Sequence, residues 1–281
     1  MNGIGDWIRE LVLACERMCE LGALEGTAGN ISLFLPSDTP DLDEWVVGEM
    51  GSARPFDPPS GLVLPPGVLI ISGTGRRLRD IATSPESVLC ALVMTNDAGC
   101  SVHCSPDTRV EPTSEIDSHV AIHADALGGV PGVHTVLHAQ PPKLSWLSHI
   151  AAYREMARLN RQLLRWQPET IVTFPEGIGV LPFETPGTPA QGTGTAAALR
   201  THRLVVWAKH GIVARSPHGP QAAADLIDYA EAAAGYEVMD ILAGRRADGL
   251  TLDEMRAVAR RFGVPDALLQ TLPEGVLAAG E

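Results

Sequence analysis

The sequence predicts an α/β domain closed by a terminal layer of helices. Three observations carry this. Short apolar runs of strand character mix with amphipathic helical stretches, but without a strict βαβ repeat. Glycine turns border two of the strands, and the residues from 221 onward read as helix alone. No linker, repeat or low-complexity block interrupts the 281 residues, so residues 1–281 are expected to form one domain with a sizeable core.

The elements follow in order. From Asp6 to about Leu21, Trp7, Leu11, Cys15 and Met18 recur at helical spacing, with Gly22 as the stop. Gly26 to Asn30 turns into an alternating strand, Ile31 to Leu35, and the Pro- and Asp-rich residues 36–60 are expected to be a surface excursion. Gly67 to Ser72 reads as a buried strand that empties into a second turn, Gly73-Thr74-Gly75-Arg76. Further strands are expected around Val93 and over Cys100 to Cys104. A helix is expected from Ser114 to about Leu127, with Thr113 or Ser114 as its cap and Glu115 in its first turn.

Residues 133–140 form an apolar strand that stops at Pro141-Pro142. A long helical stretch from Lys143 past Arg165 follows, then a strand from Thr170 to Phe174, where β-branched residues dominate. A Pro- and Gly-rich segment, 175–194, leads to a short helix at Ala196 to Arg200 and a strand from Leu204 to Trp207. Gln221 to Leu242 is an alanine-rich helix closed by Gly244. Thr251 and Glu254 form a capping box for the last amphipathic helix, which ends at Gly263.

Composition narrows the function. Hydrophobic residues make up 45% of the chain and charged residues 20%, as in ordinary globular proteins. A formal charge of -13 argues against nucleic acid, whose binding needs a basic footprint, and any anionic substrate must be met by local donors. Five scattered cysteines form no disulfide framework, which points to a reducing cytoplasm. No signal peptide is expected at Met1 to Asp6. The most apolar stretch, Leu62 to Ser72, is cut by Pro65-Pro66, so no membrane partner is expected.

The chemistry gathers around the 133–140 strand. His138 and Gln140 share one face about 6.6 Å apart at Cα, a span compatible with one metal ion, whereas His134 lies about 13 Å away. A neutral amide oxygen is a poorer zinc ligand than imidazole. His210, between a buried strand and Gly211, is a fitting distant ligand. Cys15 with Cys19, and Cys100 with His103 and Cys104, invite metal readings too, but core packing and an incomplete ligand set favour structural roles.

For an anion, the turns around Thr27, Gly29 and Asn30, around Gly73 and Thr74, and at Thr113 and Ser114 are rich in small donors suited to a phosphate. Singly, each also reads as a tight turn. Glu115 and Glu169 are the acid–base candidates. No nucleotide motif is complete.

Taken together, Gly26-Thr27-Ala28-Gly29-Asn30-Ile31-Ser32, Ser72-Gly73-Thr74-Gly75, Thr113-Ser114-Glu115 with His119, His138-Ala139-Gln140-Pro141 and Lys209-His210-Gly211 resemble the class II aldolase/adducin family over nearly the whole chain. Residues 169–177, Pro186-Gly187-Thr188 and Arg260 to Val264 are most similar to its rhamnulose-1-phosphate aldolase branch.

The resemblance implies a three-layer α/β/α fold with a mostly antiparallel sheet, a homotetramer, and a Zn²⁺ or similar ion held by three histidines. Two of these match His138 and His210, and the third falls on Gln140. It further implies that Thr27, Gly29, Asn30, Gly73, Thr74, Thr113 and Ser114 hold the substrate phosphate. Glu115 would be the general base, and Glu169 would act on the neighbouring subunit's substrate. The reaction implied is reversible cleavage of a ketose 1-phosphate, such as L-rhamnulose 1-phosphate, to dihydroxyacetone phosphate and lactaldehyde. No lysine Schiff base is called for, and the only lysines are Lys143 and Lys209. Gln140 keeps two alternatives open: an epimerase or dehydratase of pentulose phosphates on the same fold, or an adducin-like binding protein with a degraded metal site.

Overall fold

The computed structural model describes residues 2–51, 53–57, 64–95 and 99–275. Its strands are β1 (Asn30–Pro36), β2 (Ala53–Pro55), β3 (Gly67–Ser72), β4 (Leu89–Met94), β5 (Cys100–His103), β6 (His134–Ala139), β7 (Gly179–Leu181), β8 (Leu204–Trp207) and β9 (Gly211–Ser216). They form one sheet in the order β2-β5-β4-β3-β1-β6-β9-β8-β7, antiparallel at every pairing except the parallel β7–β8 edge. The helices are α1 (Ile4–Glu20), α2 (Leu42–Gly48), α3 (Pro85–Val88), α4 (Ile116–Leu127), α5 (Pro142–Leu147), α6 (Met156–Leu163), α7 (Pro168–Thr173), α8 (Pro189–Leu199), α9 (Pro220–Leu242), α10 (Leu252–Phe262) and α11 (Ala267–Thr271).

Side-chain alternation builds the layers. Along β1, Ile31, Leu33 and Leu35 face the larger core with α1, α9 and the other C-terminal helices. Phe34, on the opposite face, packs in a second core with Val120 of α4. Val136, Val205 and Val213 complete that face beneath α4 and α8. The result is α/β/α, with α4 and α8 on one side of the sheet and most other helices on the other. Among the described residues, no helix is long and apolar enough to cross a membrane.

Several expected elements are corrected. Thr170 to Phe174 is not a strand, since Thr170 to Thr173 belong to α7 and Phe174 is its C-cap: Pro168 opens the helix, and the buried Thr170 hydroxyl donates to the Leu164 and Gln167 carbonyls. Tertiary placement here overrides β-branched propensity. The stretch from Lys143 is split into α5, a 3₁₀ turn at Ala151–Arg154 and α6. The helix expected at Ala196 begins at Pro189, capped by Thr188, whose side chain accepts from the Gln191 N–H. The excursion at 36–60 carries α2 and β2, while residues 52 and 58–60 lie outside the described residues. Helix α4 starts two residues later than expected, with no side-chain cap and with Glu115 itself at the N-cap position.

Candidate metal and acid–base site

Sheet order creates the site. Strand β6 lies between β1 and β9, so Asn30 pairs with His138, and His138 with Val213. Glu115 reaches the same place because the segment before α4 is pinned to the end of β3. There the Thr113 N–H donates to the Ser72 carbonyl (3.0 Å), and Gly73 bridges Pro112. His210 arrives from the turn between β8 and β9, where Lys209 adopts a left-handed conformation (φ 64°) and its N–H donates to Ser148 Oγ.

Glu115, His138 and His210 present ligand atoms all within 4.8 Å of one another, the only such group of three among the described residues. His138 Nε2 lies 3.7 Å from Glu115 Oε2, and His210 Nε2 lies 3.7 Å from Glu115 Oε1. These separations are too long for hydrogen bonds. They are close to the roughly 3.4 Å between two ligands that share a tetrahedral ion. Glu115 Oε1 is buried without a hydrogen-bond partner, the state of an atom that awaits a cation. His138 Nδ1 donates to the Ile212 carbonyl at 2.9 Å, which turns Nε2 towards the cluster in the manner of metal-bound histidines. Two imidazoles and a carboxylate suit zinc and neighbouring divalent transition metals, so the residues present fit such an ion.

The electrostatics support an ionised carboxylate. Burial opposes the charge on Glu115, but His138, the Asn30 amide, His210 and His119 outweigh it and hold the carboxyl below the usual carboxylate range. Asn30 Nδ2 donates to Glu115 Oε2 at 2.7 Å. His210 is pushed down to about 4 by burial and by His138, against the opposing pull of Glu115. Trp207 backs both rings, with its centroid 5.1 Å from His210 and 4.8 Å from His138.

The remaining expected residues are placed as follows. Gln140 directly follows β6 and its N–H donates to the Ala23 carbonyl; its side chain lies against Gly211, where an added Cβ would stand 3.0 Å from Gln140 Cγ. Thr27, Thr74 and Ser114 are exposed, whereas Asn30, Gly73 and Thr113 are buried. The N–H groups of Gly73 and Thr74 already donate to Val88 and Glu111 carbonyls, so this turn offers an anion the Thr74 hydroxyl rather than those two amides. Gly29 (φ 83°) passes close to the His138 carbonyl, 3.1 Å from where a Cβ would sit. Glu169 is exposed in the first turn of α7 and is not part of the Glu115 cluster. His103 is held by Ser101 Oγ and the Gly51 carbonyl rather than joined with Cys100 and Cys104 around one point.

Sequence reasoning missed Gln191, whose Nε2 lies 3.3 Å from His210 Nδ1 while its Oε1 accepts from the Gly187 N–H. It also missed Ser32 and His123, although Asn30 with Ser32 at i,i+2 and His119 with His123 at i,i+4 are each same-face pairs.

Comparison with known proteins gives the family. The family described as Class II Aldolase and Adducin N-terminal domain matches residues 9–237. The rhamnulose-1-phosphate aldolase of Pectobacterium carotovorum subsp. carotovorum (strain PC1) is 29% identical over 266 residues, 93% of this chain and 95% of its own length. That of Yersinia pseudotuberculosis serotype O:1b (strain IP 31758) is 32% identical over 197 residues, 69% of this chain and 71% of its own. Among solved structures, the sugar-phosphate aldolase of Thermotoga maritima superposes with a TM-score of 0.70 at 26% identity, covering 87% of this chain and 98% of that one.

Proposed function

The chain belongs to the class II aldolase and adducin family and is a lyase, and from that premise we propose that it cleaves a ketose 1-phosphate of the L-rhamnulose 1-phosphate type to dihydroxyacetone phosphate and lactaldehyde. The supporting observation is the Glu115 carboxylate, with Oε2 3.7 Å from His138 Nε2 and the unpartnered Oε1 3.7 Å from His210 Nε2.

His138 and His210 would hold a divalent transition metal, with Glu115 and Gln140 at its edge. Once bound, it supplies a Lewis acid for the sugar oxygens beside the bond that breaks. Glu115, held ionised and aimed by Asn30, moves the proton at the carbon next to the carbonyl. Its burial keeps bulk water from competing for that proton. The exposed hydroxyls of Thr27, Thr74 and Ser114, with Gly29, Asn30, Gly73 and Thr113 behind them, receive the phosphate. They do so without a net positive field, which the charge of -13 withholds. Glu169, exposed and outside the cluster, would serve a neighbouring subunit's substrate in a homotetramer in the cytoplasm. The experiment is chelation followed by an assay of aldehyde release: release stops in the stripped protein and returns with zinc. Full-rate cleavage by metal-free protein would end this reading.

A second reading is favoured by Gln140, which puts an amide where the resemblance implies a third histidine. The same site could then epimerise or dehydrate a pentulose phosphate. Product analysis over a panel of sugar phosphates separates the two, since only the first yields an aldehyde with dihydroxyacetone phosphate.

A further inference from the structure

A continuous line of buried polar side chains leaves Glu115 and runs through the middle of the sheet towards α4. Glu115 Oε2 accepts from Asn30 Nδ2 at 2.7 Å. Asn30 Oδ1 is 2.5 Å from His119 Nε2, and His119 Nδ1 is 2.6 Å from Ser32 Oγ. Ser32 Oγ is 2.8 Å from His123 Nε2, and His123 Nδ1 is 2.8 Å from His134 Nδ1. None of the six residues is more than 6% exposed. Asn30 and Ser32 alternate onto one face of β1, His119 and His123 are one helical turn apart on α4, and His134 opens β6.

The ionised carboxylate at one end dictates every proton position. It can only accept, so the amide nitrogen of Asn30 faces it and Oδ1 faces His119. His119 therefore donates from Nε2 and must accept at Nδ1 from the Ser32 hydroxyl. That oxygen then accepts from His123 Nε2–H, and His123 Nδ1 accepts from His134 Nδ1–H. The line ends at His134 Nε2, a lone pair buried without a partner.

We propose that Asn30, His119, Ser32, His123 and His134 form one polarised hydrogen-bond chain that aims and charges the Glu115 carboxylate. In it, His119, Ser32 and His123 are positioning residues for the reaction. Every donor points towards Glu115, so the bond dipoles add at the carboxylate, and each bond strengthens the next. The opposite, electron-rich end at His134 lies in the field of Arg215. Burial pushes His119 and His134 down to about 4 and His123 well below the usual histidine range, consistent with three neutral rings. This inference goes deeper into the reading of Glu115 as the base and rests on it for its activity consequence, but the proton positions follow from the hydrogen-bond geometry and an ionised Glu115, whatever the reaction.

The test has two arms. In the first, the zinc-loaded enzyme with ¹⁵N-labelled histidine is examined by long-range ¹⁵N–¹H NMR at pH 7. His119 and His123 are expected as neutral Nε2–H tautomers and His134 as the neutral Nδ1–H tautomer. A cationic ring or a reversed tautomer at any of the three overturns the proposal, whatever sugar phosphate the enzyme takes. In the second arm, Ser32→Ala cuts the line between the two α4 histidines. We expect kcat to fall about tenfold or more with KM and metal content unchanged, and Ser32→Thr, which keeps the hydroxyl, to recover it. A Ser32→Ala enzyme with full kcat also overturns the proposal. If that variant does not fold, or if no sugar phosphate is cleaved, the tautomers of the unaltered protein decide alone.

Discussion

Trp207 and His210 lie stacked, with ring centroids 5.1 Å apart and planes within 19°. The indole is fixed in turn by its Nε1–H donating to Thr195 Oγ1 at 2.8 Å. A ring held this way loses little freedom when it binds an ion. Trp207→Leu is therefore expected to weaken metal binding about tenfold while leaving the fold intact. Competition against a chromogenic chelator measures this, and an unchanged affinity would show that the stack is mere packing.

Replacing Glu115 by Gln keeps the size of the side chain but removes the charge and the proton acceptor. Aldehyde release should fall about 10²- to 10⁴-fold, the usual contribution of a positioned general base. Bound zinc should stay near stoichiometric through His138 and His210. If metal is lost in parallel with activity, Glu115 acts chiefly as a ligand.

Gln140 offers a contrast in both directions. Gln140→His should tighten zinc binding by about an order of magnitude or more, because imidazole is the better ligand. Gln140→Ala should loosen it. Equal affinity in all three proteins, by calorimetry, would place Gln140 outside the coordination sphere.

Acid should destabilise the metal-free chain. His119 and His134 have folded values lowered to about 4, and burial pushes His123 well below the ordinary histidine value of about 6.5 found in an unfolded chain. Between these limits the unfolded state binds more protons, so stability rises with pH and is lost as pH falls from about 6.5 towards 4. Each fully shifted histidine contributes about 1.4 kcal/mol per pH unit in that window. Glu115, with its folded value depressed, acts in the same direction: its contribution is present above the unfolded carboxylate value and fades as pH falls through the folded one. Denaturant midpoints at pH 7, 6 and 5 should fall steadily; a flat profile would contradict buried neutral histidines.

At Gly211 the start of β9 lies close against the end of β6. A Cβ there would lie 2.6 Å from the Ala139 carbonyl oxygen and 2.9 Å from His138 Cε1. Gly211→Ala should cost about 1–3 kcal/mol in stability and disturb His138 as well. Thermal unfolding and metal titration should therefore both shift, and a normal value for either would rule this out.

Much of this was legible in the chain, for identifiable reasons. The strands at 31–35, 67–72 and 204–207 and the helix at 221–242 announce themselves by burial pattern and by glycine or proline borders. His138, His210 and Glu115 stand at strand and helix ends, where chemistry-bearing residues are conspicuous. Propensity misled at 170–174, because α7 packs against α9 and α10 and that environment outweighs β-branched preference. The histidine line could not be read, since its members come from β1, α4 and β6, and only the pairing of β1 with β6 beneath α4 brings them together. Gln191 was hidden for a similar reason: its partner is nineteen residues away across a helix and a strand.

The position of β6 between β1 and β9 has a further consequence for how the protein is made. His138 is in place once β6 exists, but Glu115 needs the end of β3 and His210 needs β9 docked on β6. A growing or partly folded chain therefore owns no complete ion site. Metal capture at the proposed site would then mark the finished sheet and not seed it, the reverse of small zinc modules that fold around their ion. By mass action, an ion that recognises only the finished sheet would hold the entire strand order together, so the unfolding temperature should climb with free zinc even in a chain that has lost its base.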